Sequence, residues 1–477
     1  MLTNAFPKSD FQQFVSAVHR RTAFFALRAE KGGDRCFQRF SGMLWQVSWL
    51  ALSWVLLAGT AAAAPVIEHW SLANGARAYF VHSPTLPMVQ IKAVFDAGSA
   101  RDPRDKHGLA CLTNTMLKEG AGALSADDIA DRLDSVGAQL HSGCGRDMSS
   151  FDLRSLSGAR ALRPALEVFA EFLAKPSFPG DGLERERKRA LLALQHDAQS
   201  PGAIVRKAFH RAIYGDHPYA HDPRGNETGL TTLDRVDLVR HHRRYYVGAN
   251  AVLALVGDIS LRRARAIARQ LLGGLAAGVP PALLPPVAQL AKSRLRTVAF
   301  PSSQTHIRVG QPGIRYDDPD YFALYVGNYI LGGGGMVSRL YDEVRAQRGL
   351  AYSTYSYFTP LRRKGPFTIG LQTERSQRRQ VLKLVETTLG RFLMSGPNAA
   401  ELRAAQKHLT GGFPLRIDSN RDIARYLAII GFYELPLTYL DDFIPKVEGV
   451  TIEQVREAFR RRVHPRKLAT VIVGEQG

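Results

Sequence analysis

The sequence predicts an α+β protein of two homologous domains, each a mainly antiparallel sheet packed with helices, joined by a linker rich in proline and glycine. Three observations point to it. A stretch from Thr232, "TLDRVDLVRHHRRYYVGANAVLALVGD", is echoed from Thr451 by "TIEQVREAFRRRVHPRKLATVIVGE". Both read as a capped amphipathic helix, a polar turn and an apolar strand closed by Val-Gly and an acidic residue. The offset is 219 residues at the start and 217 at the glycine. Strand signals precede long amphipathic stretches twice over, and a segment resistant to regular structure lies between the two copies.

Taken in order, residues 1–42 show no clear apolar period. Residues 43–64, "MLWQVSWLALSWVLLAGTAAAA", hold an apolar run from Leu44 to Leu57, then small residues, with Arg35 and Arg39 upstream. That is the layout of a secretory signal peptide cleaved near Ala62 to Ala64, with Met43 a candidate start. The run is shorter than the roughly 20 apolar residues a membrane-spanning helix needs, and an uncleaved anchor is the alternative. Leader and signal peptide together take 1–64, and the expected destination is the periplasm.

The N-terminal domain, 65–272, opens with the strand "MVQIKAVFDAG" at 88–98, continues with helical stretches at 160–175 and 183–198, and ends in the first copy of the repeat. The linker, 273–296, begins "GGLAAGVPPALLPPVAQLAKS", whose four prolines exclude a regular helix or a central strand. The C-terminal domain, 297–477, opens with "HIRVGQPGI" at 306–314, has helical stretches at 318–331 and 377–394, and ends in the second copy.

The formal charge is +20, of which the seven basic and three acidic residues of 1–64 carry little. The remaining basic residues are spread along helical segments such as "RERKRALLAL" and "VREAFRRRV", which read as solvated faces with weak attraction for acidic partners or membrane surfaces. No nucleic-acid module is present by motif. Beyond Cys36 in the leader there are Cys111 and Cys144. An exported chain could pair them, yet two cysteines do not make a disulfide framework, and the pairing stays open. His107 with Cys111, and His217 with His221, stand four residues apart, but two ligands without a third favour ordinary polar packing over metal binding. His241 and His242 fall on a basic helix and read as surface. The run "LGGGGMVSRL" lacks the Gly-Lys-Ser/Thr ending of a phosphate loop. Gly332, Gly333, Gly334 and Gly335 read instead as a flexible substrate-contacting or hinge loop, with a plain connection as the alternative.

Over 66–475 the chain resembles the insulinase/pitrilysin family of zinc metallopeptidases, the inverted H-x-x-E-H class. The resemblance rests on "VFDAGSARDP", "GLACLTNTMLKEGA", "GAQLHSGCGRDMSSFDLRSL", "HPYAHDPRG", "NYILGGGGMVSRLYDEVRAQRGLAYSTYS" and both helix–strand repeats. In such enzymes two histidines four residues apart hold Zn²⁺, and the Glu between them polarises the bound water. Here the three motif positions are Cys111, Asn114 and Thr115, and the region of the family's third ligand reads Leu191, Leu192, Ala193. The resemblance therefore implies a lost zinc site and no cofactor bound by this chain. It also implies a function for Arg345 and Tyr352, which match an Arg and a Tyr that bind substrate at the zinc from the family's C-terminal half. A guanidinium and a phenol can both donate to a peptide carbonyl or a developing oxyanion. On residue types alone, Arg345 paired with Glu343 or Asp342 and a core Tyr352 would be the preferred reading, and the surrounding motif turns it toward the functional one.

A chain with the Arg/Tyr pair and no zinc site resembles the non-catalytic partner of the family's two-subunit enzymes. The expectation is an exported subunit, inactive alone, that binds peptide substrates and works in trans on a homologous subunit with intact H-x-x-E-H, which holds the zinc. The alternative is a catalytically inactive scaffold or peptide-binding assembly protein. A self-sufficient peptidase with Cys111 as nucleophile would need a histidine held near the thiol, and the sequence places none there.

Overall fold

The structure is a computed structural model describing residues 65–475, so the leader and signal-peptide expectations for 1–64 lie outside the described residues. Residue 66 onward builds two large sheets of matching topology, besides a short ribbon of Gly120–Ala121 with Leu124–Ser125. The first contains β1 (Glu68–Ser71), β2 (Arg77–His82), β3 (Met88–Phe95), β4 (Gln139–Cys144), β5 (Ser149–Leu156) and β6 (Ala251–Gly257), in the order β1-β2-β6-β3-β5-β4. The second contains β7 (Arg294–Ala299), β8 (Gln304–Pro312), β9 (Ala351–Phe358), β10 (Pro366–Glu374) and β11 (Ala469–Gly474), in the order β7-β11-β8-β10-β9. In each half the opening strand pairs in parallel with the closing strand, β2 with β6 and β7 with β11, and the other pairings are antiparallel. The α+β duplication expected from sequence is thus present, with β1 an extra edge strand in the first half.

Helices of eight or more residues among the described ones are α1 (Leu109–Met116), α2 (Ala126–Asp134), α3 (Ala159–Ala174), α4 (Gly180–Ala198), α5 (Pro201–Tyr214), α6 (Arg235–Tyr245) and α7 (Leu261–Leu272) in the first half. In the second they are α8 (Tyr321–Asn328), α9 (Arg378–Ser395), α10 (Ala399–Gly411), α11 (Asn420–Tyr433), α12 (Tyr439–Glu448) and α13 (Ile452–Arg462). The repeated helices α6 and α13 start at capping boxes on Asp234/Asp237 and Thr451/Gln454. The equivalence therefore holds at an offset of 217 from cap to closing glycine; Thr232 belongs to the preceding short helix, which corrects the 219 read at the start.

Each half lends a helix to the other. In β6 the odd residues Ala251, Leu253 and Leu255 enter the first half's core, whereas Val252, Ala254 and Val256 face α11 of the second half. Burial on both faces is why "AVLALVG" is apolar without alternation. Conversely, α5 crosses to β8 and β11, where Phe209 packs with Val471 and Val473. Between α7 and β7 the chain forms no helix or strand, yet it is anchored at every third residue by buried Leu284, Val287 and Leu290, a spacing that suits a three-per-turn extended proline-rich segment. Carbonyls of this stretch also accept from Arg101, His217 and Arg363.

His241 and His242 are not surface residues. Both rings are buried, His242 with its Nε2 2.9 Å from the Leu173 carbonyl oxygen, and burial pushes each pKa down to about 4. The sequence reading failed because α6 is flanked by arginines on its outer face, and its inner face is read only by which residues meet the core. The folded state holds these rings neutral and the unfolded chain, with an ordinary value near 6.5, takes up the protons. Stability contributed here is present above about pH 6.5 and is lost as pH falls toward 4. Urea unfolding should therefore give a lower midpoint at pH 5 than at pH 7.5, with unfolding free energy smaller by on the order of 1–2 kcal/mol per histidine. An unchanged midpoint would contradict the buried placement.

Candidate functional site

The helix α1 retains its core-facing residues, Leu109, Leu112 and Met116, and has lost its chemistry. Its N-terminus is capped by the carboxylate of Asp102, which accepts from the backbone N–H groups of Gly108 and Ala110 at 2.7 Å each. Cys111 is disulfide-bonded to Cys144, so the open question of their pairing is answered: α1 is tied to the edge strand β4. A loop of this size gives about 2–4 kcal/mol by restricting the unfolded chain. Asn114 is buried and donates to Ser149 Oγ at 2.6 Å, and that hydroxyl is 2.6 Å from the Tyr246 hydroxyl. Thr115 donates back to the Cys111 carbonyl at 3.1 Å. Of the third-ligand region, Leu192 is exposed to solvent.

These residues do not fit a zinc ion. One thiol is consumed in a disulfide, the amide is committed as a donor, the hydroxyl is turned into its own helix, and the remaining positions are hydrocarbon. Among the described residues no group of three or more His, Cys, Asp or Glu side chains could hold a metal ion. Among the described residues a lone thiol nucleophile is equally absent, because both cysteines, Cys111 and Cys144, are bonded to each other.

The members of the two pairs singled out by spacing, His107 with Cys111 and His217 with His221, each have other partners. His217 turns to the Pro285 carbonyl and accepts from the Tyr219 N–H, while Cys111 turns to Cys144. One histidine from each pair instead meets the other: the His107 and His221 rings stack with centroids 4.1 Å apart and planes 6° from parallel. His221 Nε2 lies 2.9 Å from the Ser99 carbonyl and 3.4 Å from the Asp102 carboxylate that caps α1. Burial, then the neighbouring imidazole, holds the His107 pKa below its usual value. The stack belongs to the wiring that seats α1.

In the second half the Arg345 guanidinium lies 5.0 Å from the ring centre of Tyr341 and 5.0 Å from that of Tyr352, stacked on two phenols. The alternative surface ion pair is not formed. Glu343 is taken by Arg348 at 2.7 Å and by Arg391 at 2.9 Å, and Asp342 accepts from Gln347. Nor is Tyr352 a core residue, since it is 74% exposed. The two sit where a π-helical turn, Asp342–Ala346, gives way through Gly349 (φ 63°) to β9. What results is a half-buried cation with no carboxylate partner among the described residues, next to an open phenol.

The glycine run has a packing reason. After α8 the chain winds through a π-turn, Tyr329–Gly333, pressed onto β9. A Cβ on Gly332 would lie 2.5 Å from Ser356 Oγ, one on Gly333 2.6 Å from Asn328 Nδ2, and one on Gly334 2.7 Å from the Tyr329 carbonyl. Asn328 and Ser356 fasten the contact through hydrogen bonds at 2.9 and 2.7 Å. Gly335, with φ 61°, has open space around it and leads to Met336 and Val337, both largely exposed. Three glycines thus serve close packing, and the fourth begins the exposed tip.

One functional cluster had no signal in the sequence. Buried Asp147 accepts from the Tyr219 hydroxyl in its own half, and from the Tyr433 hydroxyl (3.0 Å) and the Arg362 N–H (2.7 Å) in the other. Nearby, Asp96 binds Arg101 through two bonds of 2.7 and 2.6 Å and lies 3.5 Å from Arg362 Nε. These groups, scattered from Asp96 to Tyr433, staple the halves together. Spacing alone could not reveal them.

Comparison with known proteins decides the family. The model for "Insulinase (Peptidase family M16)" matches residues 77–225, and that for "Peptidase M16 inactive domain" matches 232–409. A solved structure of a peptidase M16 inactive domain from Pseudomonas fluorescens is 39% identical, with a TM-score of 0.84, covering 86% of this chain and 98% of that one. The chain belongs to the M16 family. Its M16 relatives include an uncharacterized zinc protease of Bacillus subtilis, 25% identical over 86% of this chain and 99% of the relative. The fold is shared by the periplasmic protease PqqL of Escherichia coli at 17% identity and TM-score 0.74, over 87% of this chain and 46% of that one. With its motif positions occupied as described, this chain is an inactive peptidase-like member.

Proposed function

We propose that this M16 protein is the non-zinc subunit of a heterodimeric zinc metallopeptidase, which binds peptide and presents Arg345 and Tyr352 to the metal centre of a homologous partner with intact H-x-x-E-H. The observation that carries this reading is the Arg345–Tyr352 stack: a guanidinium without an acidic partner beside an exposed phenol, in a chain whose own metal positions are occupied by other bonds. A permanently charged fork and a neutral donor suit a substrate carbonyl that gains negative charge. Gly335 and the exposed Met336 and Val337 fit a substrate-contacting tip close in sequence to that pair. Peptide binding is further supported by edge strand β4, whose Gln139, Leu140 and His141 border a groove of about 930 Å³ where an extended chain can add as a strand.

Export through a signal peptide at 43–64 completes the proposal, and the Cys111–Cys144 bond supports an oxidising compartment. No helix among the described residues is long and apolar enough to cross a membrane. The domain limits 65–272, 273–296 and 297–477 are retained as proposed, with β7 beginning inside the last part of the linker at Arg294.

The test is reconstitution. Purified alone, the chain should bind no stoichiometric zinc and cleave no peptide; mixed with an M16 chain bearing H-x-x-E-H, it should raise that chain's peptide hydrolysis. Zinc held at about one ion per chain of this protein, and lost in Cys111→Ala, would overturn the assignment. A complex that forms but hydrolyses peptide no faster than the partner alone would favour the scaffold instead.

A further inference from the structure

The second half contains its own cavity at the place where the first half has lost its metal chemistry. Helix α8 is the counterpart of α1, since each follows the central strand of its sheet, β8 or β3, in the same topology. Tyr325 and Asn328 on α8, with Tyr329 at the start of the following π-turn, stand at the spacing that Cys111, Asn114 and Thr115 occupy on α1. The counterpart of the third-ligand helix α4 is α10, which brings His408 against Tyr329, the two rings stacked with centroids 5.0 Å apart. Between these helices, the glycine turn and the end of β9 lies a cavity of about 580 Å³.

Its lining has a definite chemistry. The walls are mostly aromatic, with Tyr316, Tyr321, Tyr325, Tyr329, Tyr357 and Phe358 all contributing. Burial pushes the Tyr316 phenol up to about 12 and raises that of Tyr329 as well. No carboxylate lines the cavity, and the one permanently charged group is Arg416. Arg416 donates to the Tyr325 hydroxyl, which fixes its direction, and among the described residues it has no acidic partner within ion-pair distance. Volume, apolar walls and one oriented cation define a pocket for a ligand with an apolar or aromatic body and a single carboxylate. Gly333 and Gly334 form part of the wall, where larger residues would also collide with Asn328 and Tyr329.

We propose that this cavity binds the C-terminal residue of a peptide, its apolar side chain among the tyrosines and its carboxylate on Arg416. The site rests on the second half alone and requires neither a partner subunit nor the Arg345–Tyr352 role, so each can fail without the other.

The test is calorimetric titration of the full chain with acetyl-Gly-Gly-Phe, its C-terminal amide, and 3-phenylpropionate. Saturable binding of the free acid is expected, weakened about ten- to a hundredfold by amidation. Arg416→Gln should remove the same factor while leaving affinity for the amide unchanged, a pattern a merely structural defect would not give. Tyr357→Ala, at a half-exposed position that folding tolerates, should weaken acid and amide alike. Arg379→Gln, exposed and outside the lining, should change nothing. Equal affinity for acid and amide, no saturable binding of any probe below about millimolar concentration, or full affinity in Arg416→Gln overturns the proposal. Binding of 3-phenylpropionate as tight as that of the peptide overturns the peptide assignment in favour of a small aromatic acid.

Discussion

Replacement of Arg345 by alanine is expected to lower peptide hydrolysis by the mixed complex about a hundredfold, as is Tyr352→Phe, with assembly and partner zinc content intact. Removing one preorganised donor from a developing oxyanion typically costs on the order of 3 kcal/mol, and each residue supplies such a donor in the proposed mechanism. Arg345→Lys should restore little. An ammonium is a point charge without the planar fork, and it stacks less well between Tyr341 and Tyr352. The competing view, an inert surface residue, predicts a small change, because exposed charges contribute about 0–1 kcal/mol to stability. Arg345 has no ion pair to lose among the described residues, only its stacks on Tyr341 and Tyr352, so its removal should cost this chain no more than about 1–2 kcal/mol. The useful signature is therefore a large loss of turnover with a small loss of stability. Near-normal turnover by an assembled Arg345→Ala complex would leave the scaffold reading ahead.

How much of this was legible in the sequence depends on where the information lay. The duplication was legible because capping boxes, basic helices and both-face-buried strands recur at a fixed spacing. The lost metal chemistry was legible because zinc accepts few residue types, and Asn, Thr and Leu are poor substitutes. Tertiary partnerships were not. His107 and His221 lie 114 positions apart, and only the fold stacks them. The Cys111–Cys144 bond required knowing that β4 passes beside α1. The glycine run suggested mobility, whereas three of its members answer to the nearness of Ser356, Asn328 and Tyr329. The aromatic cavity was invisible because four of its tyrosines, Tyr316 to Tyr329, lie in and around one helix and read first as core, while Tyr357 and Arg416 join them only in the fold.

Phe209→Ala is expected to destabilise the second half of the molecule although it lies in the first. Phe209 is fully buried on α5, against β8 and β11 of the other sheet, and Gly310 is there to receive it: a Cβ on Gly310 would lie 2.9 Å from the Phe209 ring. Truncating a buried phenylalanine costs about 3–5 kcal/mol through lost transfer energy and the cavity left behind. The mirror-image contact is Gly431 on α11, where a Cβ would come within 2.5 Å of the Tyr79 ring and 2.6 Å of Val252 in the first sheet. Gly431→Val should cost about 1–3 kcal/mol or more by overpacking. Because each half's sheet is covered by the other half's helix, the loss should not stay local. Both variants should unfold in one transition, with hydrogen exchange accelerated in β2, β6, β8 and β11 together. Two separate transitions, or acceleration confined to one sheet, would show that the halves are independent units and that the exchanged helices add little. A single transition at lower denaturant is the result required of a duplicated fold whose copies cannot bury their sheets without each other.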